Sequence, residues 1–107
     1  MATTVEISVA PLQHAAAPFE AVVIVTGAPP GANVKATLRE KSGLPPLWGP
    51  SSNAKSADAD GSQEFPFTVA LNGPTQATLQ ATVEDDKGTY YPPDVRAVQV
   101  VGDEEGL

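Results

Sequence analysis

The chain has 107 residues and carries 13 acids against 6 bases, for a net charge of −7. That is the length of one domain, and no basic stripe offsets the acidity to hold nucleic-acid phosphates. Cysteine is absent, which excludes disulfides, thiolate metal sites and a Cys nucleophile. With 11 prolines, 9 glycines and 41% hydrophobic residues dominated by Ala and Val, the composition predicts many short strands joined by tight turns.

The opening "MATTVEISVAPLQ" has no basic n-region, apolar h-region or cleavage signature. It therefore predicts no secretory signal and a chain made in the cytoplasm. No apolar run approaches membrane-spanning length. In "TTVEISVA", Val5, Ile7 and Val9 alternate with Thr4, Glu6 and Ser8, and Pro11 ends the strand. His14, the only histidine, follows in the linker-like "PLQHAAAP", where nothing resembles a nucleophile elbow. "FEAVVIVTG", from Phe19 to Gly27, is apolar on both faces. Val22 and Ile24 point one way, and Ala21, Val23 and Val25 the other. One face of such a strand should be wet, so a cover is expected over the second face. The Pro-rich loop of the same chain and a neighbouring subunit both fit. Val22 and Ile24 are accordingly interface candidates.

Pro30-Gly31 supplies a turn before "NVKATLRE", where Val34, Ala36 and Leu38 face inward. The long connection from Lys41 to Gly61 has room for a seventh strand. It contains "SGLPPLWGPSS", with the only tryptophan. Two readings of Leu47 and Trp48 stand: a plug for one end of the core, or an anchor presented to a partner. "SADADGS" resembles a calcium loop only in part, because Ser56 and Phe67 fall where ligands are required. Asp60-Gly61 reads as a turn before "EFPFTVAL". Pro66 inside that strand marks an edge, a bulge or an outward-facing nitrogen. "QATLQATVE" places Ala77, Leu79, Ala81 and Val83 inward. The acids Glu84, Asp85 and Asp86 then precede Lys87-Gly88, the residues of a hairpin end. Asp85 and Asp86, with Asp94, are also the candidates for a calcium site. Tyr90 and Tyr91 open "YYPP" as aromatic interface candidates, one expected packed and one exposed. "DVRAVQVV" is the last strand, and residues 103–107 form an acidic tail beyond a single domain of residues 1–102.

The segments "VVIVTGAPPGANVKATL" (22–38) and "QATLQATVEDDKGTYY" (76–91) give the chain its likeness. It resembles the immunoglobulin-like superfamily in its broad sense, with its bacterial and phage fibronectin-III-like members. The first segment corresponds to a B–C strand pair and the second to strand F with an F–G hairpin. The cysteines of antibody domains and the tyrosine near the start of strand F are missing. The resemblance implies an all-β, immunoglobulin-like antiparallel β-sandwich of about seven strands, used for binding or building rather than for catalysis. The expectation is a non-enzymatic structural module without a cofactor, docked in a multi-subunit assembly by protein contacts or self-association. A phage or virus capsid decoration protein, located in the virion, fits best. The alternative is a domain of a secreted or cell-surface adhesin stabilised by calcium.

Overall fold

In the computed structural model, residues 3–14, 18–41, 48, 50–71 and 75–101 are described. They form eight strands: β1 (Thr4–Ser8), β2 (Leu12–His14), β3 (Phe19–Thr26), β4 (Asn33–Glu40), β5 (Ser51–Ser56), β6 (Gln63–Val69), β7 (Thr75–Asp85) and β8 (Tyr90–Val101). Two sheets result, one of three strands in the order β1-β3-β6 and one of five in the order β2-β8-β7-β4-β5. The chain is all-β, as the alternation predicts, with eight strands in place of about seven. Residues 22–38 are not a hydrogen-bonded pair: β3 pairs with β1 and β6, whereas β4 pairs with β5 and β7. The two strands belong to different sheets.

The core lies between the sheets and is filled by the inward phase of each strand. Ala21, Val23 and Val25 of β3, Val34, Ala36 and Leu38 of β4, Phe65 and Val69 of β6, Leu79 and Val83 of β7, and Val98 and Val100 of β8 are all buried. The side-chain period of two forces the same strands to present their other residues outward. Glu40 continues the inward phase of β4 and is fully buried. Its side-chain Oε2 accepts the Thr78 N–H at 2.9 Å, so this polar group enters the core with a backbone partner.

Two strands depart from the sequence pattern. β2 is three residues long and runs parallel to β8, pairing Leu12 with Gln99 and His14 with Val101. β1 and β2 are thus one N-terminal arm that changes sheet between Ser8 and Leu12. β8 begins four residues before Asp94 because a bulge accommodates Pro92 and Pro93. The two prolines stand opposite Thr82 alone, in the gap between the Ala81–Asp94 and Val83–Tyr91 pairs. A bulge leaves the ladder donor unpaired there, so proline costs nothing extra. Pro66 sits on β6, an edge of its sheet, the position that tolerates a missing N–H.

Side chains close both seams between the sheets. At one, the Ile7 N–H of β1 donates to Asp94 Oδ2 at 2.8 Å, and Arg96 Nε donates to the Ile7 carbonyl at 3.2 Å. At the other, Lys55 Nζ donates to the Glu64 carbonyl at 2.8 Å, and Gln63 Nε2 donates to the Ser56 carbonyl at 2.8 Å. The Lys55 ammonium also lies 5.5 Å from the centre of the Phe65 ring, a cation–π distance.

Candidate functional site

The outer face of the three-stranded sheet has an apolar centre and an acidic margin. Its middle strand, β3, turns Val22 and Ile24 outward, and both are half-buried. The register sets their neighbours. Ile24 lies between Glu6 of β1 and Glu64 of β6, and Val22 between Ser8 and Pro66. Glu20, in the same outward phase of β3, is exposed and faces Thr68. Val22, Ile24 and the exposed Pro66 therefore form a continuous apolar spot with Glu6, Glu20 and Glu64 around it. Strands β1, β3 and β6 contain no lysine or arginine. Among the described residues, two cations reach the margin of this face across the seams: Lys55, whose Nζ donates to the Glu64 carbonyl, and Arg96, whose Nη2 lies 3.5 Å from Glu6 Oε2 in an ion pair. Both partners are largely exposed, so the pair contributes little.

The remaining interface candidates divide. Trp48 is half-buried and packs against the core, and its carbonyl accepts the Glu40 N–H at 3.1 Å. That placement is distant in sequence and sheet from Val22. Leu47 lies outside the described residues. Tyr91 packs against the core while Tyr90, 67% exposed, faces out from the five-stranded sheet beside Glu84. The structure thus brings Val22 and Ile24 together and leaves Trp48, Tyr90 and Tyr91 elsewhere. Sequence reasoning missed Glu6, Glu20, Glu64 and Pro66 as their neighbours, because cross-strand register is invisible in one strand.

The acids at the β7–β8 turn serve the turn. Asp85 Oδ1 accepts the Lys87 and Thr89 N–H groups, each at 2.9 Å, and Oδ2 accepts the Tyr91 hydroxyl at 3.4 Å. Gly88, at φ 84°, completes the reversal. The Thr89 N–H above all, together with the Lys87 N–H and the Tyr91 hydroxyl, holds the Asp85 carboxyl below its ordinary range. Burial, and then the Asp85 charge, push the Tyr91 phenol up. Asp60 is likewise held low by the Ser62 hydroxyl and N–H in its own turn. Asp94, the third calcium candidate, is taken up at the seam by Ile7 and by Arg96 Nε at 3.4 Å. Asp85, Asp86 and Asp94 are not brought together, and no group of three or more metal-ligating side chains occurs among the described residues. A cleft of about 300 Å³ opens beside the turn, between Lys35 and Ala54 on one side and Glu84 and Asp86 on the other. His14 is exposed on β2, with Val101 as its register partner.

No protein-family model matches the chain, and no curated protein matches it either. Solved structures do. Macromomycin aligns over 94% of this chain and 100% of its own, at 17% identity and a TM-score of 0.55. A point variant of superoxide reductase (neelaredoxin) from Ignicoccus hospitalis aligns over 92% of this chain and 79% of its own, at 14% identity and a TM-score of 0.56. Superoxide reductase (neelaredoxin) from the same organism, without that change, covers 94% and 80%, at 13% identity and a TM-score of 0.51. These neighbours correct three expectations. The fold is similar to macromomycin and superoxide reductase, which displaces the immunoglobulin-like and fibronectin-III-like assignment. The period-two alternation and hairpin residues that suggested it are common to all-β folds. Likewise the neighbours are not capsid proteins, so the decoration-protein and virion expectation loses its fold-level support. Finally, two of them are named as reductases. The fold therefore gives no ground for the expected absence of enzymatic function. At these identities the likeness establishes fold and leaves the activity of the neighbours with the neighbours.

Proposed function

We propose that the chain is a protein-docking module that joins a larger assembly through the outer face of its three-stranded sheet. The observation that carries this reading is the apolar pair Val22 and Ile24 at the centre of that face, extended by Pro66. A two-layer sheet protein needs apolar residues on one face of each strand, and β3 already supplies Ala21, Val23 and Val25 to the core. Val22 and Ile24 exceed that need. An apolar centre with a polar margin is the anatomy of a protein contact.

The size of the face sets the kind of contact. Three strands about 4.8 Å apart and eight residues at about 3.3 Å each span on the order of 400 Å². A stable interface takes about 800 Å² from each partner. Docking through this face alone is therefore weak and exchangeable, and a lasting attachment recruits the loops that flank it.

The test is the mass of the native species that contains the chain, with and without substitutions on the face. Val22→Asp, and the pair Val22→Thr with Ile24→Thr that keeps β-branching at both positions, are expected to release the chain as an 11.0 kDa species. The isolated domain should stay folded, with losses of about 1 kcal/mol or less for the threonine pair. A wild-type chain that remains alone at 11.0 kDa even after cross-linking in its native source would defeat the reading. So would threonine variants that unfold the isolated domain, since the pair would then belong to the fold.

A further inference from the structure

The margin of the docking face states the chemistry of its partner. Resting on the docking reading above, the geometry points to a different protein with an apolar centre bordered by lysine or arginine, and not to a second copy of this chain. Two copies meeting face to face about a two-fold axis would set Glu6, Glu20 and Glu64 of one against the same residues of the other. Like charges set against one another across an interface are unfavourable, at its margin as well as at its centre. The chain as a whole carries −7, which adds long-range repulsion between copies at low salt.

The positions of the carboxylates fix where the partner's cations must lie. Glu6 and Glu64 flank Ile24 in one row across three strands, so their backbones are about 10 Å apart. Glu20 stands four residues from Ile24 along β3, about 13 Å away. Val22, on the strand between Glu20 and Ile24, is the point a partner's apolar side chain reaches. Glu20 and Glu64 make no side-chain hydrogen bond or ion pair within the described residues, and Glu6 holds only the exposed contact with Arg96. Their charge is therefore available. Exposed charges of this kind act mainly on the rate of encounter, which salt suppresses.

The experiment is zero-length carbodiimide cross-linking of the native complex, which joins a carboxylate to a lysine amine only where the two touch. Peptide mapping is expected to find Glu6, Glu20 or Glu64 joined to lysines of a second polypeptide. The yield should fall at least about tenfold from 0.05 to 0.5 M salt. The triple variant Glu6→Gln, Glu20→Gln, Glu64→Gln should slow association by about tenfold while leaving the fold intact. Cross-links from these residues to Lys35, Lys41, Lys55 or Lys87 of another copy would overturn the inference in favour of self-association. A complex lost with Val22→Asp but unchanged in the triple variant would overturn it while leaving the docking reading in place. A complex unaffected by either set would remove both.

Discussion

Gly61 and Gly88 share a positive φ, 79° and 84°, yet differ in what a methyl group would meet. At Gly88 a Cβ finds nothing within 4 Å, whereas at Gly61 it runs into the Ala28 carbonyl oxygen. The Ala28 N–H also donates to the Gly61 carbonyl at 2.9 Å, so the two backbones cannot separate without losing that bond. Gly88→Ala is expected to cost about 1 kcal/mol, the left-handed conformation alone. Gly61→Ala adds the clash and should cost about 3 kcal/mol or more. Urea unfolding of the two variants checks the difference, and equal losses would contradict it. Asp85 gives a second test at this scale. Its folded-state carboxyl ionises below the ordinary range, so its turn bonds are fully present above that range. They are lost as pH falls through the folded value. The wild type should therefore lose stability on acidification below about pH 4. Asp85→Asn should lose less across that window, being weaker from the start. Parallel melting curves from pH 6 to pH 2 would show it, and identical pH dependence would refute it.

Among the elements, β1 depends on a substitute for a strand neighbour. Along its seam edge, Ile7 is served on both sides by side chains of β8: Asp94 takes its N–H and Arg96 reaches its carbonyl. Asp94→Ala leaves that part-buried N–H without an acceptor and is expected to cost about 1–3 kcal/mol. Asp94→Asn keeps an acceptor oxygen and should cost less. Hydrogen exchange at the Ile7 amide is the direct readout, and it should accelerate in the alanine variant ahead of the β4 and β7 amides. The sequence reveals such devices unevenly. β4, β6 and β7 announce themselves by period-two alternation, because each packs one face on a core, and β3 by an unbroken apolar run. β2 is too short to alternate, and its pairing with β8 is a tertiary event. Pro92 and Pro93 argue against a strand until the bulge opposite Thr82 is known. Glu40 was within reach: it follows Val34, Ala36 and Leu38 in phase, and only its charge disguised an inward position. The carboxylate margin around Val22 was out of reach, since Glu6, Glu20 and Glu64 meet only through register.

The basic residues of the molecule are sorted by sheet. All six basic residues, Lys35, Arg39, Lys41, Lys55, Lys87 and Arg96, lie in or beside strands of the five-stranded sheet. The three-stranded sheet has glutamates and no bases. Folding joins these halves through contacts remote in sequence, with the seam bonds of Ile7 spanning 87 and 89 residues. Charge sorting has a practical side for anyone who tethers the molecule to a surface. Coupling through lysine side chains fastens it by the five-stranded side and leaves Val22, Ile24 and their glutamates turned toward the solution. Coupling through carboxylates is spread over 13 acids, among them Glu6, Glu20 and Glu64, and so fastens a share of the molecules by the same spot. A binding assay on a sensor chip would thus return a fuller signal from the lysine chemistry than from the carboxylate chemistry.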